Sequence, residues 1–99
     1  MLIPNGNIYI DSGASNALKS GRSLLPAGIV NAEGKFERGD AVLIYDILKN
    51  EIARGLSAYS LKDTLIIKGK STDEIEKILG YRGRSASVHR DDLVITDER

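Results

Sequence analysis

The sequence contains no cysteine, no tryptophan, one histidine and one phenylalanine. Without thiols, disulfides and thiolate metal sites are excluded, which is consistent with a reducing cytoplasm. A lone imidazole with no clustered carboxylates gives no convincing metal centre. No apolar run approaches the roughly 18 residues needed to cross a bilayer, and the opening Met1-Leu2-Ile3-Pro4 is too short for a signal peptide. The chain therefore reads as soluble and cytoplasmic, with no membrane partner. An excess of charge of one sign is also missing: 14 basic residues face 14 acidic ones, balanced within each half, at a pI of about 6.6. Domains that grip nucleic acid through its phosphates usually have a pI above about 9, so any RNA contact has to come from a local patch.

What is present fits one domain of 99 residues, large enough to bury roughly 60 to 65% of its unfolded surface. Its organising stretch runs from Lys35 to Leu56. Five apolar residues, Ala41 to Tyr45, follow a Gly39-Asp40 turn and predict a central strand covered on both faces. The chain turns at Lys49-Asn50, with Asn50 suited to the left-handed conformation, and returns antiparallel as Glu51 to Leu56. There Ala53 and Gly55 share one face, Ile52, Arg54 and Leu56 the other, and the small residues mark the close approach of another backbone.

Before this hairpin, Ile8 to Ile10 reads as a short strand. Asp11 or Ser12 caps a helix from Gly13 to Ser20, with Ala14, Ala17 and Leu18 on one face and Gly21 as its stop. Pro26 makes Ser23 to Val30 an irregular lead into a strand near Ile29. After the hairpin, Ser60 caps a helix from Leu61 to Lys68 with Leu61 and Leu65 on its stripe. Ser71 and Glu74 form a capping box for a second helix that buries Ile75, Ile78 and Leu79 and stops at Gly80. Arg82 to Ser85 is a basic turn, Ala86 to Val88 a short strand and Leu93 to Ile95 a last one. Short strands with two or three short helices predict a small α+β barrel or half-open sheet.

Two motifs imitate catalytic loops. His89-Arg90-Asp91-Asp92-Leu93 looks like a protein-kinase catalytic loop, but Thr96 stands where the magnesium-binding Asn is needed, and the glycine loop and lysine are missing. Gly69-Lys70-Ser71 looks like the end of a phosphate loop, but Thr64 replaces the required first glycine and the preceding segment is helical. His89 is assigned a structural part, holding a turn by hydrogen bonds while Asp91 and Asp92 anchor backbone amides. Two basic places remain. One is Lys19, Arg22 and Lys35; the other is Arg82, Arg84 and Arg90, with the amides of Gly21 and Gly83 open to an anion. Nearby Glu33, Glu37, Asp91 and Asp92 screen both. Tyr9, Tyr45, Tyr59 and Tyr81 read as core or rim packing, with base stacking as the other use of such rings.

Seven segments together resemble one family: Asp11-Ser12-Gly13-Ala14, Ser23-Leu24-Leu25-Pro26-Ala27-Gly28-Ile29, Gly34 to Asp40, Glu51-Ile52-Ala53-Arg54-Gly55-Leu56, Ser71 to Ile75, Leu79-Gly80-Tyr81 and His89 to Leu93. They look like the C-terminal PUA domain of bacterial glutamate 5-kinase, from Tyr9 to Val94. The resemblance implies an α+β pseudo-barrel of about five or six mixed strands with two or three short helices packed outside. It places the domain at residues 7–96, after a linker remnant over 1–6 and before an acidic tail over 97–99. It implies that ATP and magnesium serve the whole kinase, which phosphorylates glutamate for proline synthesis and is inhibited by proline. That chemistry belongs to an N-terminal amino-acid kinase domain, so no catalytic residue and no cofactor site is carried onto this chain. The implied partner is that kinase domain, with a regulatory or assembly role. In RNA-modifying relatives the turn after the first helix and the last strand bind RNA. By position, and with the neighbouring Lys19, the candidate RNA or anion contacts are Lys19, Gly21, Arg22, Ser23 and Arg90. An RNA-binding module and self-association into an oligomer stand beside the accessory-domain reading.

Overall fold

The computed structural model describes residues 3–81 and 83–96; Met1, Leu2, Arg82 and the tail 97–99 lie outside the described residues, and with them part of the basic turn and of the linker. The elements are β1 (Gly6–Ile10), α1 (Ser12–Lys19), β2 (Ile29–Gly34), β3 (Ala41–Tyr45), β4 (Glu51–Leu56), α2 (Leu61–Ile67), α3 (Thr72–Leu79) and β5 (Leu93–Ile95). Single 3-10 turns at Pro26–Gly28 and Arg90–Asp92 lead into β2 and β5. The five strands form one mixed sheet in the order β2-β1-β3-β4-β5, with β1 and β3 parallel and the other neighbours antiparallel.

β3 lies in the centre, as its apolar run predicts, but only one of its faces is closed. Val42 and Ile44 are fully buried, whereas Ala41, Leu43 and Tyr45 are half-buried. The sheet curls around its inner face, where Ile8, Ile10, Leu18, Leu24, Phe36 and Ile52 complete the core. Closure comes from the segments leading into the two edge strands: Leu24 pairs with Val88 in an antiparallel bridge, Leu24 N donating to Val88 O at 2.9 Å. A sheet whose outer strands are tied this way leaves little unpaired edge for foreign strands to join.

The return strand departs from simple alternation. Tyr45 pairs with Glu51 and Ile44 with Ala53, so Ile52 is left over on a β-bulge. An extra residue reverses the alternation locally. Ile52 is consequently buried together with Ala53 and Gly55, rather than facing outward with Arg54. The close approach expected at Gly55 is present: a Cβ there would stand 2.9 Å from the Asp92 carbonyl oxygen and would also strike Val88. The turn is built by Asp46, whose carboxylate accepts from Leu48 N and Asn50 N, each at 2.9 Å. The positive φ falls at Lys49, at 66°, and not at Asn50.

The helices largely follow their caps. Asp11 Oδ1 accepts from Ala14 N at 2.8 Å to start α1, and Ser60 Oγ accepts from Asp63 N at 3.2 Å to start α2. The capping box at Ser71 does not form; Glu74 N instead donates to the Ser71 carbonyl at 3.0 Å, and no side-chain bond caps α3. The stripes also shift. α2 buries Thr64 and Ile67 while Leu65 is exposed, and α3 buries Ile75 with Leu79 beside it while Ile78 is exposed. Ile67 of α2 with Ile75 and Leu79 of α3 build a second small cluster around Tyr59, while Leu61 of α2 packs against the main core. Residues 86–88 contribute the single bridge to Leu24 rather than a strand.

Candidate RNA and anion surface

The end of α1 sets the position of the predicted contacts. Gly21 takes φ of 84° and its amide donates to the Leu18 carbonyl at 3.0 Å, while Arg22 N returns to Ala17 O at 3.0 Å. The Gly21 amide is therefore spent on the helix end and is not open to an anion, contrary to the sequence reading. This turn aims Ser23 at the 3-10 turn before β5, and Ser23 Oγ accepts from Arg90 N at 2.9 Å. Gly21, Arg22, Ser23 and Arg90 are thus brought to one place from positions 67 residues apart in chain at the Ser23–Arg90 bond. Lys19 closes the last turn of α1 next to them. Lys35 does not join them, because it follows Gly34 at the far end of β2, where its amide donates to Asn5 O.

Beside this turn lies a shallow groove of about 400 Å³, floored by Ala14, Ala17, Leu25 and Ala27 and edged by Arg22 and Asp11. The Asp11 carboxylate is already engaged as the α1 cap. What remains is an apolar floor with one guanidinium at its rim. Arg84 makes a loose 3.8 Å ion pair with Asp92, in the same 3-10 turn as Arg90. His89 has the structural part expected of it: Nδ1 accepts from Asp91 N at 3.1 Å and caps the turn that carries Arg90.

A second cleft, of about 390 Å³, is lined by Arg38, Tyr59, Tyr81, Arg84 and His89 among others. The Tyr81 hydroxyl donates to Asp63 Oδ2 at 2.5 Å, which pushes its pKa up to about 12. The Tyr59 hydroxyl donates to the Arg84 carbonyl, and burial raises its pKa. On the sheet, Glu33 of β2 accepts from the Tyr9 hydroxyl at 2.5 Å and from Asn7 Nδ2 at 3.0 Å. Those two bonds hold the Glu33 carboxyl below its ordinary range, and the bond to Glu33 raises the Tyr9 phenol. The sequence reading grouped these tyrosines as packing. Their acidic partners lie 18 and 24 residues away, beyond the reach of periodicity.

The Gly69-Lys70-Ser71 segment is not a phosphate loop. Gly69 follows α2 with φ of 74° and its amide donates to the Pro26 carbonyl at 2.8 Å, so no phosphate cradle forms ahead of Lys70. Among the described residues no group of three His, Asp or Glu side chains is placed to hold a metal ion. Likewise, no described helix is long and apolar enough to cross a membrane.

Comparison with known proteins agrees with this geometry. The PUA domain family model matches residues 6–79. Glutamate 5-kinase of Sinorhizobium fredii is 54% identical over 95 residues, covering 96% of this chain and 24% of that protein. Glutamate 5-kinase of Paramagnetospirillum magneticum is 53% identical over 92 residues, covering 93% and 25%. The chain thus spans about a quarter of the length of the curated relatives it matches. Among solved structures, a PUA domain from Aeropyrum pernix in complex with tartrate superposes with a TM-score of 0.61 at 25% identity, over 85% of this chain and 41% of that one. A chain of an archaeal box H/ACA sRNP complex superposes with a TM-score of 0.58 at 23% identity, over 87% of this chain and 25% of that one. With the family model matching residues 6–79, the chain belongs to the PUA domain family.

Proposed function

We propose that this chain is the accessory, non-catalytic domain at the C-terminal end of a glutamate 5-kinase. In this reading an amino-acid kinase domain elsewhere in the polypeptide holds ATP and magnesium and phosphorylates the glutamate side chain. The PUA domain contacts it and influences its regulation or assembly. The observation that carries the reading is the identity of about half of all residues along nearly the whole chain with a quarter of each such enzyme. A similarity that runs from β1 past α3 into the last strand covers packing residues and surface alike, which shared fold alone does not require. The test is to express the complete reading frame and, separately, the 99-residue chain, and to supply each with glutamate, ATP and magnesium. The complete protein forms the acyl phosphate and the short chain does not. Turnover by the short chain, or a reading frame without a kinase portion, overturns the reading.

A second reading, RNA binding, is favoured by the Ser23–Arg90 bond, which unites Arg22 and Arg90 beside an apolar groove. A site resting on few phosphate contacts has a shallow salt dependence. Arg22→Glu should weaken binding to structured RNA at low salt by about tenfold or more, and no binding by the unmodified chain at low salt eliminates this reading.

A further inference from the structure

We propose that the open face of the sheet around Tyr9, Tyr45 and the β3–β4 turn is the docking surface for the catalytic portion of the same polypeptide. The inference rests on the accessory-domain reading above. Tyr9 of β1 and Tyr45 of β3 are register partners, and their rings stack with centroids 5.5 Å apart on the half-buried face. Next to them Ile47 is 68% exposed and Leu48 77%, and Val30 on the edge strand is 53% exposed. Tyr9, Val30 and Ile47 line one depression of about 290 Å³, so the side chains form a single patch.

The turn that carries the two aliphatic side chains is firmly built. Asp46 N donates to Asn50 O at 3.0 Å, Lys49 N to Asp46 O at 2.9 Å, and the Asp46 carboxylate takes two further amides. Ile47 and Leu48 are therefore held outward, and the core beneath is already filled by Val42 and Ile44. A contiguous apolar patch on a preorganised turn marks an interaction surface, since its side chains lose little freedom on binding.

The length of the relatives and the charge of the face select the occupant. About three quarters of each relative's length lies beyond the matched residues, as the 24% coverage shows. A tethered neighbour experiences a high effective concentration, so a modest apolar patch is enough to hold it, whereas a free partner or a second copy needs more. The charges around the depression oppose nucleic acid, because Glu33 and Asp46 face a single Lys49 and no cationic track runs through it. An interdomain contact, commonly about 600 to 1,500 Å² and mixed in polarity, suits such a face.

The test uses the complete reading frame. A photo-reactive side chain in place of Ile47 is expected to cross-link, within one polypeptide, to peptides of the kinase portion. The same group in place of the exposed Lys70, between α2 and α3, is expected not to. Ile47→Ser with Leu48→Ser is expected to split one cooperative thermal transition into two. Cross-links confined to this domain, to a second copy or to RNA overturn the proposal, as does a protein whose transition is unaltered by the double substitution. Glutamate phosphorylation by the same preparation reports on the accessory-domain reading separately: activity without the cross-link defeats only the docking face, and no activity defeats the reading beneath it.

Discussion

Tyr81 shows how a single side chain's environment becomes a measurable property. Its hydroxyl donates to Asp63, and its pKa rises from 10.0 to about 12. A phenol whose folded pKa lies above its unfolded one stabilises the fold fully below the unfolded value and ceases to as pH climbs through the folded one. Denaturant midpoints of the parent and of Tyr81→Phe should accordingly differ by a constant amount below pH 10 and converge between pH 10 and about 12. An unchanged gap across that window would remove Asp63 as the cause. Glu33 has the opposite sign. Its carboxyl is held below 4.5 by Tyr9 and then Asn7, so its contribution is present above that pH and lost as pH falls through the folded value. Neither pair is legible in the sequence, because each joins separate parts of the chain whose approach is decided by tertiary packing, of α2 and α3 for Tyr81 and Asp63 and of β1 and β2 for Tyr9 and Glu33.

Among elements, local chemistry predicted the caps unevenly, and the difference is itself testable. Asp11 makes a 2.8 Å side-chain bond to Ala14 N, while Ser71 makes none. Replacing a working N-cap by Ala costs about 0.5 to 2 kcal/mol. Asp11→Ala is therefore expected to lose about 1 kcal/mol, and Ser71→Ala only a few tenths, in urea unfolding. Equal losses would contradict the assigned caps. The stops at Gly21, Gly69 and Gly80 were readable because positive φ singles out glycine, and all three adopt it. The stripes of α2 and α3 were less so. Leu65 and Ile78 satisfy helical spacing as well as Thr64 and Ile67 do, and packing makes the choice: Leu61 lies against the main core as expected, while Ile67 and Ile75 pack on Tyr59. The bulge at Ile52 was hidden for a similar reason: alternation assumes a continuous ladder, and the slip is visible only in the pairing with β3.

For the whole molecule, stability depends on the inner face of one curled sheet. Ile44→Ala empties a fully buried position on the central strand and is expected to cost about 2 to 5 kcal/mol. Gly55→Val should be comparably damaging through a different cause, since its side chain would meet Val88 and the Asp92 backbone. Circular dichroism with urea titration checks both, and a loss under about 1 kcal/mol at either position would mean that the sheet does not close as described. The α+β class and the central hairpin were legible from apolar runs and turn residues. The candidate surface was legible only by resemblance, because Ser23 and Arg90 are joined by a long-range bond that no local pattern encodes.

The most direct measurement deletes this domain from the complete protein and follows glutamate phosphorylation by the remainder. Chemistry housed elsewhere predicts that turnover persists within about tenfold, a change of about 1.4 kcal/mol in barrier, while the response to proline or the assembly state changes. Loss of turnover by about a thousandfold or more, in a remainder that still folds and binds ATP, would place catalytic groups in this domain and contradict the account.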